Sequence, residues 1–363
     1  MTATLFVADG GTGTCTQTSP CGSIQTAVSE GEGYSGEAVT VHVGPGTYTG
    51  GISVSAASLA SLTIEGSGAS NTKVTGTTFL RGFLVSAGTL SIDDLTVMDA
   101  LVTTGSGVLN NGTLTLAHDT FRLDLAGNVG GAVGNTGTVV AIDDYFTDDS
   151  ATQGGDVYNS HTATFMATGD TFVGNFGSAT TGGGIYNAGT VTATDDTFIG
   201  EKAITGGGIY NVGTLTATDD TFSEIHALLQ GGGIVNHRGT VAATNDTFFR
   251  NSAGTTTPSD PRSWRHLSGE DASRRKGPVE LLCDGPNPTP AAGLSRASLV
   301  GVQEGGPAGA TTPSPAVASS DRSRWRARDC RRRDARTPAG RRDGGGPRGR
   351  SRAQPTVAGG EHE

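Results

Sequence analysis

GTVTATDDTF at residues 189–198 returns as GTLTATDDTF at residues 213–222, with GGGIYN at 206–211 between the two copies. Outward from this pair the same phrase recurs as GTLTLAHDTF (112–121), GTVVAIDDYF (137–146), ATFMATGDTF (163–172) and GTVAATNDTF (239–248). Its closing aromatic falls at Phe121, Phe146, Phe172, Phe198, Phe222 and Phe248, at intervals of 25, 26, 26, 24 and 26 residues. A second series, GGAVGN, GGDVYN, GGGIYN, GGGIYN and GGGIVN, ends at Asn135, Asn159, Asn187, Asn211 and Asn236. One structural unit per repeat, with length changes absorbed in turns, accounts for both series.

Within a unit the apolar residues alternate, as in Val191 and Ala193 or Leu215 and Ala217. That is the period of a strand with one face inward, and it excludes helix. Three short strands are expected per unit, at Gly-Ile-Tyr-Asn, Val-Thr-Ala-Thr and Thr-Phe, with Gly and Asn supplying the positive φ that sharp corners need. A single unit cannot bury its apolar face, whereas coils stacked about 4.8 Å apart bury a continuous core. The expected fold is all-β: a right-handed single-stranded parallel β-helix, a solenoid of about 25 residues per coil. Regular coils run over 110–251 of a domain at 1–254, and the phenylalanines form an internal stack.

Before residue 110 the units are more degenerate, as VTVHVGPGTYTGG (39–51), ISVS (52–55), SLTIEGSG (61–68) and GTLSIDDLTV (88–97). Ahead of them SIQTAVSEG, residues 23–31, reads as a short amphipathic helix with Ile24, Ala27 and Val28 on one face. Its expected job is to cover the open end of the solenoid, because an uncovered strand edge invites polymerisation.

Composition agrees. Of 363 residues 58 are Gly, while aromatics make up 6% and charged residues 17%. That balance excludes a helical bundle and a charge-dominated disordered chain. The net charge of −10 is unevenly shared: residues 1–254 hold 6 Lys+Arg and 23 Asp+Glu, or −17, and residues 255–363 hold 19 and 12, or +7. After Asn251 the repeat stops, and 12 of the 14 Pro follow with both Trp and no Phe or Tyr. No packed core can be built from that stretch, so residues 255–363 read as a disordered Arg/Pro/Gly-rich tail. Stretches such as DRSRWRARDCRRRDAR suit nucleic acid or an anionic surface. Translation in a shifted frame of GC-rich DNA would leave the same bias.

Cys15 and Cys21 flank five residues in CTQTSPC, a loop-like stretch that lets them pair as a disulfide outside the cell. Zinc fits less well, since His42 is the only nearby imidazole and a structural site takes four ligands. No apolar run reaches a membrane span, and Met1 is not followed by a signal peptide's basic and apolar regions. Either the start is a fragment or lies below a missed upstream start, or the protein is cytosolic; the composition, that of an extracellular or bacterial cell-surface protein, favours the first.

PCGSIQTAV, VGPGTYTGGISVS and LTIEGSG together resemble the N-terminal entry of the pectin lyase-like superfamily over roughly residues 5–250. The GGGIYN element and TFVGN or TFFRN, with Phe172 and Asn175 or Phe248 and Asn251, resemble the GGAI and FxxN repeats of the polymorphic outer-membrane protein family. The first resemblance implies a fold rather than an activity, and the second implies a surface-exposed, adhesin-like protein. TFIGE and TFSEI depart from the second pattern, and no C-terminal membrane barrel is present in the sequence.

The Asp pairs at 143/144, 195/196 and 219/220 suggest the two carboxylates of a glycosidase. They recur once per coil, however, so a turn in which Asp accepts backbone N–H bonds is the better reading. Stacking aligns Asp119, Asp144, Asp170, Asp196, Asp220 and Asp246 in a column, expected as an acidic ladder on the surface. Neighbouring charges there repel by about 1 kcal/mol in water. Turn amides could compensate, or Ca²⁺ held by Asp144, Asp170, Asp196, Asp220 and Asp246.

The coils offer Lys73, Arg81, Arg122, Lys202, Arg238 and Arg250 as cations, none in a lyase, polygalacturonase or pectin methylesterase motif, and GxSxG and HExxH are missing. His161, His226 and His237 are scattered, and His237 with Arg238 and Asp220 is the nearest approach to a catalytic group. Tyr158, Tyr186 and Tyr210 share one column, a binding surface for sugar or protein if outward and core if inward. The expected function is a non-enzymatic secreted or cell-surface scaffold binding extracellular carbohydrate or a surface protein. The alternative is a polysaccharide lyase or glycoside hydrolase.

Overall fold

The computed structural model describes residues 2–175 and 179–254; the tail expected at 255–363 lies outside the described residues. The chain is an all-β parallel solenoid of about 25-residue coils, and successive coils add strands to shared parallel sheets. The clearest face is a nine-stranded parallel sheet from Gly46–Thr49 to Thr247–Phe249. It pairs Phe121, Phe146, Phe172, Phe198, Phe222 and Phe248 in register. Centroids of successive rings lie 4.5–5.1 Å apart, and the rings tilt by 4–9° from one another. Each fully buried ring contributes about 1.5–3 kcal/mol through removal from water.

A second face is built from five-residue strands such as Thr190–Thr194, Thr214–Thr218 and Thr240–Thr244. Val191 and Ala193, or Leu215 and Ala217, face the core. Their outward neighbours form columns, one of them threonine throughout: Thr89, Thr113, Thr138, Thr164, Thr190, Thr214 and Thr240. Two columns over, Thr168, Thr194, Thr218 and Thr244 also align.

The third face consists of three-residue strands such as Ile185–Asn187 and Ile209–Asn211, with Ile and Asn inward and Tyr outward. The asparagines of this face therefore do not serve as positive-φ corner residues, whereas Asn245, at another corner, does (φ 60°). Each donates from Nδ2 to the Oδ1 of the next, at 2.7–2.9 Å, from Asn110 through Asn135, Asn159, Asn187 and Asn211 to Asn236. A buried amide must be satisfied on both sides, and stacking identical amides one coil apart does so. The positive φ comes from glycine, as at Gly206 (+67°), and at two other corners from single non-glycine residues.

A fourth, shorter face was not expected. Ala179–Thr181, Lys202–Thr205, His226–Gln230 and Ser252–Ala253 form a parallel sheet with Ala179, Ala203, Ala227 and Ala253 in register. Its strands vary in length and register and share little beyond that alanine, so no periodic signal marks them.

The helix spans Ile24–Gly31, with the Ser23 hydroxyl accepting from the Thr26 N–H, and it buries Ile24, Ala27, Val28 and Gly31. It covers the first coil in two ways. Its apolar face packs on the core, and Gln25 Oε1 and Glu32 Oε1 each accept, at 2.6 Å, the N–H of Ser53 and Ser55 on the outermost strand of the third face, Ile52–Ala56. Open strand donors are thereby closed by side chains. Nearby, Cys15 and Cys21 are joined by a disulfide, with Cα atoms 4.4 Å apart. Among the described residues no helix is long and apolar enough to cross a membrane.

Candidate functional site

Two corners of the regular coils share one construction: a residue of positive φ followed by an inward residue that is polar in most coils. At the first corner Asp143, Asp195 and Asp219 adopt φ of 54°, 58° and 60°, and Asp144, Asp196 and Asp220 turn into the core. The column expected on the surface is therefore internal from Asp119 to Asp220, with Asp246 half-buried. Every rung is held alike. The N–H of Asp119 donates to Asp144 Oδ1, that of Asp144 to Asp170, that of Asp170 to Asp196 and that of Asp196 to Asp220, all at 2.8 Å, and Asp220 donates to Asp246 at 2.9 Å.

Loss of hydration outweighs these bonds. Burial, reinforced by the neighbouring Asp, pushes Asp170 up to about 8 and Asp196 to about 9. Burial likewise raises Asp220 to about 7 and Asp246 to about 6. The rungs stand one coil apart, so an ion placed at Asp144, Asp170, Asp196, Asp220 or Asp246 would touch two carboxylates, whereas Ca²⁺ takes six to eight oxygens.

The second corner stacks Ala100, Asp124, Asp149, Asn175, Glu201, Ile225 and Asn251. Asp124 Oδ1 accepts from Ala100 N–H at 2.9 Å, Asp149 Oδ1 from Asp124 N–H at 2.7 Å, and Asn251 Oδ1 from Ile225 N–H at 3.0 Å. Glu201 breaks the pattern, and so does Asp156, which fills the last place of the GG-x triplet held elsewhere by Ala132, Gly184, Gly208 and Gly233. A Cβ on Gly184 would stand 3.2 Å from the Phe198 ring, which is why that place favours glycine. Asp156 and Glu201 are both fully buried, and among the described residues no N–H or hydroxyl closes a well-formed hydrogen bond to any of their four oxygens, the Asn175 N–H only approaching Glu201. The two carboxyl groups face each other, and two buried carboxyl groups in that position favour keeping a proton between them. Burial pushes Glu201 up to about 8 and raises Asp156 as well, the latter further through the Glu201 and Asp149 charges.

Tyr158, Tyr186 and Tyr210 point outward, half-exposed. Their rings stack with centroids 5.3 and 5.5 Å apart, and the His237 ring follows Tyr210 at 6.0 Å. Stacking occupies the ring faces, so this ridge presents edges and hydroxyls rather than flat platforms. Asp220 is sealed in the core while His237 lies on this outer ridge, so the grouping of His237, Arg238 and Asp220 does not form.

Exposed titratable groups gather at one edge. His118 Nδ1 lies 3.1 Å from Asp93 Oδ1, and that bond raises the His118 pKa. With Asp94 these are, among the described residues, the one group of three or more candidate ligands whose donor atoms fall within 4.8 Å of one another. Toward the N-terminal end His42 Nδ1 meets Glu65 Oε2 at 3.0 Å beside a shallow open cavity also lined by Phe6, Gln17 and Ser67. Of these groups the sequence had pointed to the aspartate column and the tyrosines, and it missed the Asp156–Glu201 pair, whose one signal was the break in each repeat. The chain matches no family model and no curated protein.

Proposed function

We propose that this chain is a non-enzymatic secreted or cell-surface β-helix, an adhesin-like scaffold that binds carbohydrate or protein along its flank. In this reading its resemblance to the pectin lyase-like superfamily is one of fold, and the repeats resembling those of polymorphic outer-membrane proteins go with surface display. The observation that carries it is the repetition of the surface from coil to coil. Threonine columns and a tyrosine ridge run along the solenoid, and the aspartates that suggested catalysis are bound to backbone amides inside it. A catalytic pair is needed once, whereas a docking flank gains from repetition. The row of tyrosine hydroxyls and ring edges suits hydrogen bonding to a polymer lying along the axis.

Incubation of the purified chain with a panel of acidic and neutral polysaccharides, scoring both retention and chain cleavage, tests this reading. Retention without cleavage, weakened in Tyr186→Ala, is expected. The competing reading, a polysaccharide lyase or glycoside hydrolase, is favoured by the His42–Glu65 pair at its open cavity. Cleavage products that disappear in His42→Ala would replace the scaffold reading with that one.

A further inference from the structure

The outward face of the five-residue strands plays no part in the reading above. Over the four coils from Thr164 to Thr244 both of its outer columns are threonine, and the column between them reads Met166, Thr192, Thr216 and Ala242. All these positions are exposed or half-exposed, and among the described residues none of the threonine hydroxyls on this patch bonds to the protein. The coils carry 23 acidic and 6 basic residues; none stands within the patch, and exposed Asp195 and Asp219 border it beside Thr194 and Thr218. This uncharged centre with an acidic rim disfavours acidic polysaccharides and suits a partner whose contacting face is uncharged.

The geometry narrows the partner further. Parallel pairing without a register shift repeats each threonine about 4.8 Å along the solenoid, and alternation repeats it about 6.6 Å along the strand. Threonine is stiff at χ1, so hydroxyl and methyl take the same orientation from coil to coil at little entropic cost. The result is a flat, uncharged, nearly rectangular net of hydrogen-bonding groups. The prism face of hexagonal ice is likewise a rectangular net of uncharged donors and acceptors, with its short repeat close to the coil spacing and its long repeat somewhat wider than the strand spacing, a difference that side-chain splay can take up.

We propose that this threonine net is an ice-binding surface. The hydroxyls hold water at positions the crystal also uses, the methyls order the water between them, and the acidic remainder of the coils keeps the other faces in liquid.

The test is slow freezing of the purified full chain onto a cold probe beside a soluble control protein, with recrystallisation of fine ice followed separately. Enrichment in the ice fraction and slowed recrystallisation are expected for the native chain and for Tyr186→Ala. Both are expected to be lost in the double variant Thr192→Lys/Thr216→Lys, which sets charges in the middle column without touching the core. Should the lysines unfold the sheet, Thr216→Tyr, bulky but compatible with a strand, is expected to give the same loss with unchanged thermal unfolding. Exclusion of the native chain from ice to the level of the control overturns the proposal, as does enrichment that survives in a folded variant. Retention on microcrystalline cellulose or chitin that is lost in Thr192→Lys/Thr216→Lys but kept in Tyr186→Ala, without enrichment in ice, makes the face a glycan-docking surface and overturns it equally.

Discussion

Replacing Asp170 with Asn changes one oxygen for one nitrogen in the middle of the internal aspartate column. The new amide keeps an Oδ1 for the Asp144 N–H that now donates at 2.8 Å, and its Nδ2 takes the place of Oδ2, which the Thr168 N–H approaches without closing a well-formed hydrogen bond. What changes is the proton balance. An unfolded Asp titrates near pH 3.9, and burial raises this one to about 8. Between those values the folded chain binds more protons than the unfolded one, so stability from this group is fully present below about pH 4 and is lost as pH rises through about 8. At pH 7 keeping the proton costs about 4 kcal/mol, taken as about 1.4 kcal/mol for each pH unit above the unfolded value. Asn needs no proton. Urea unfolding at pH 4, 7 and 9 is expected to show native and Asp170→Asn proteins alike at pH 4, with the variant more stable at pH 7 by up to about 4 kcal/mol. The native protein is expected to lose stability from pH 4 to 9. If it gains stability over that range, or if the variant is destabilised at pH 7, the rungs are ionised and held by their amide bonds, and the reasoning fails.

Phe198→Ala removes a ring lying 4.5 Å from Phe172 and 4.7 Å from Phe222, and chemical unfolding is expected to show a loss of about 3–5 kcal/mol. An unchanged unfolding midpoint would refute the stacked core. Asn187→Ala leaves the Gly189 N–H without its acceptor and Asn211 Oδ1 without its Nδ2 donor, a loss of about 1–3 kcal/mol for each group stranded, readable by thermal unfolding and larger than for Thr214→Ala on the outer face. Gln25→Ala with Glu32→Ala opens the N–H groups of Ser53 and Ser55, and sedimentation at rising concentration is expected to show self-association that the native chain lacks.

How far the sequence reached can be followed through single residues. Phe198 and Val191 were legible because the burial period of a strand is two and the coil repeats near 25, so both the inward face and the stacking partner follow from spacing. The side on which the aspartates stand was not legible. In Asp195-Asp196 the backbone takes a left-handed turn at the first residue, which sends the second inward, and no composition rule says which of two identical residues bends. The direction of Tyr186 had been open for a similar reason: Ile185, Tyr186 and Asn187 could place either the aromatic or the amide inside. The core took Asn187 because a neighbouring Asn completes its hydrogen bonds in the dry interior.

The sequence by itself determined the parallel solenoid, its coil length, its phenylalanine stack and its helical cap, because each rests on local periodicity repeated until only one stacking satisfies it. Tertiary structure alone decided where the exceptions meet. Asp156 and Glu201 lie 45 positions apart, and each merely breaks its own repeat. Their raised pKa values arise only because stacking brings two departures from the pattern together in the buried interior.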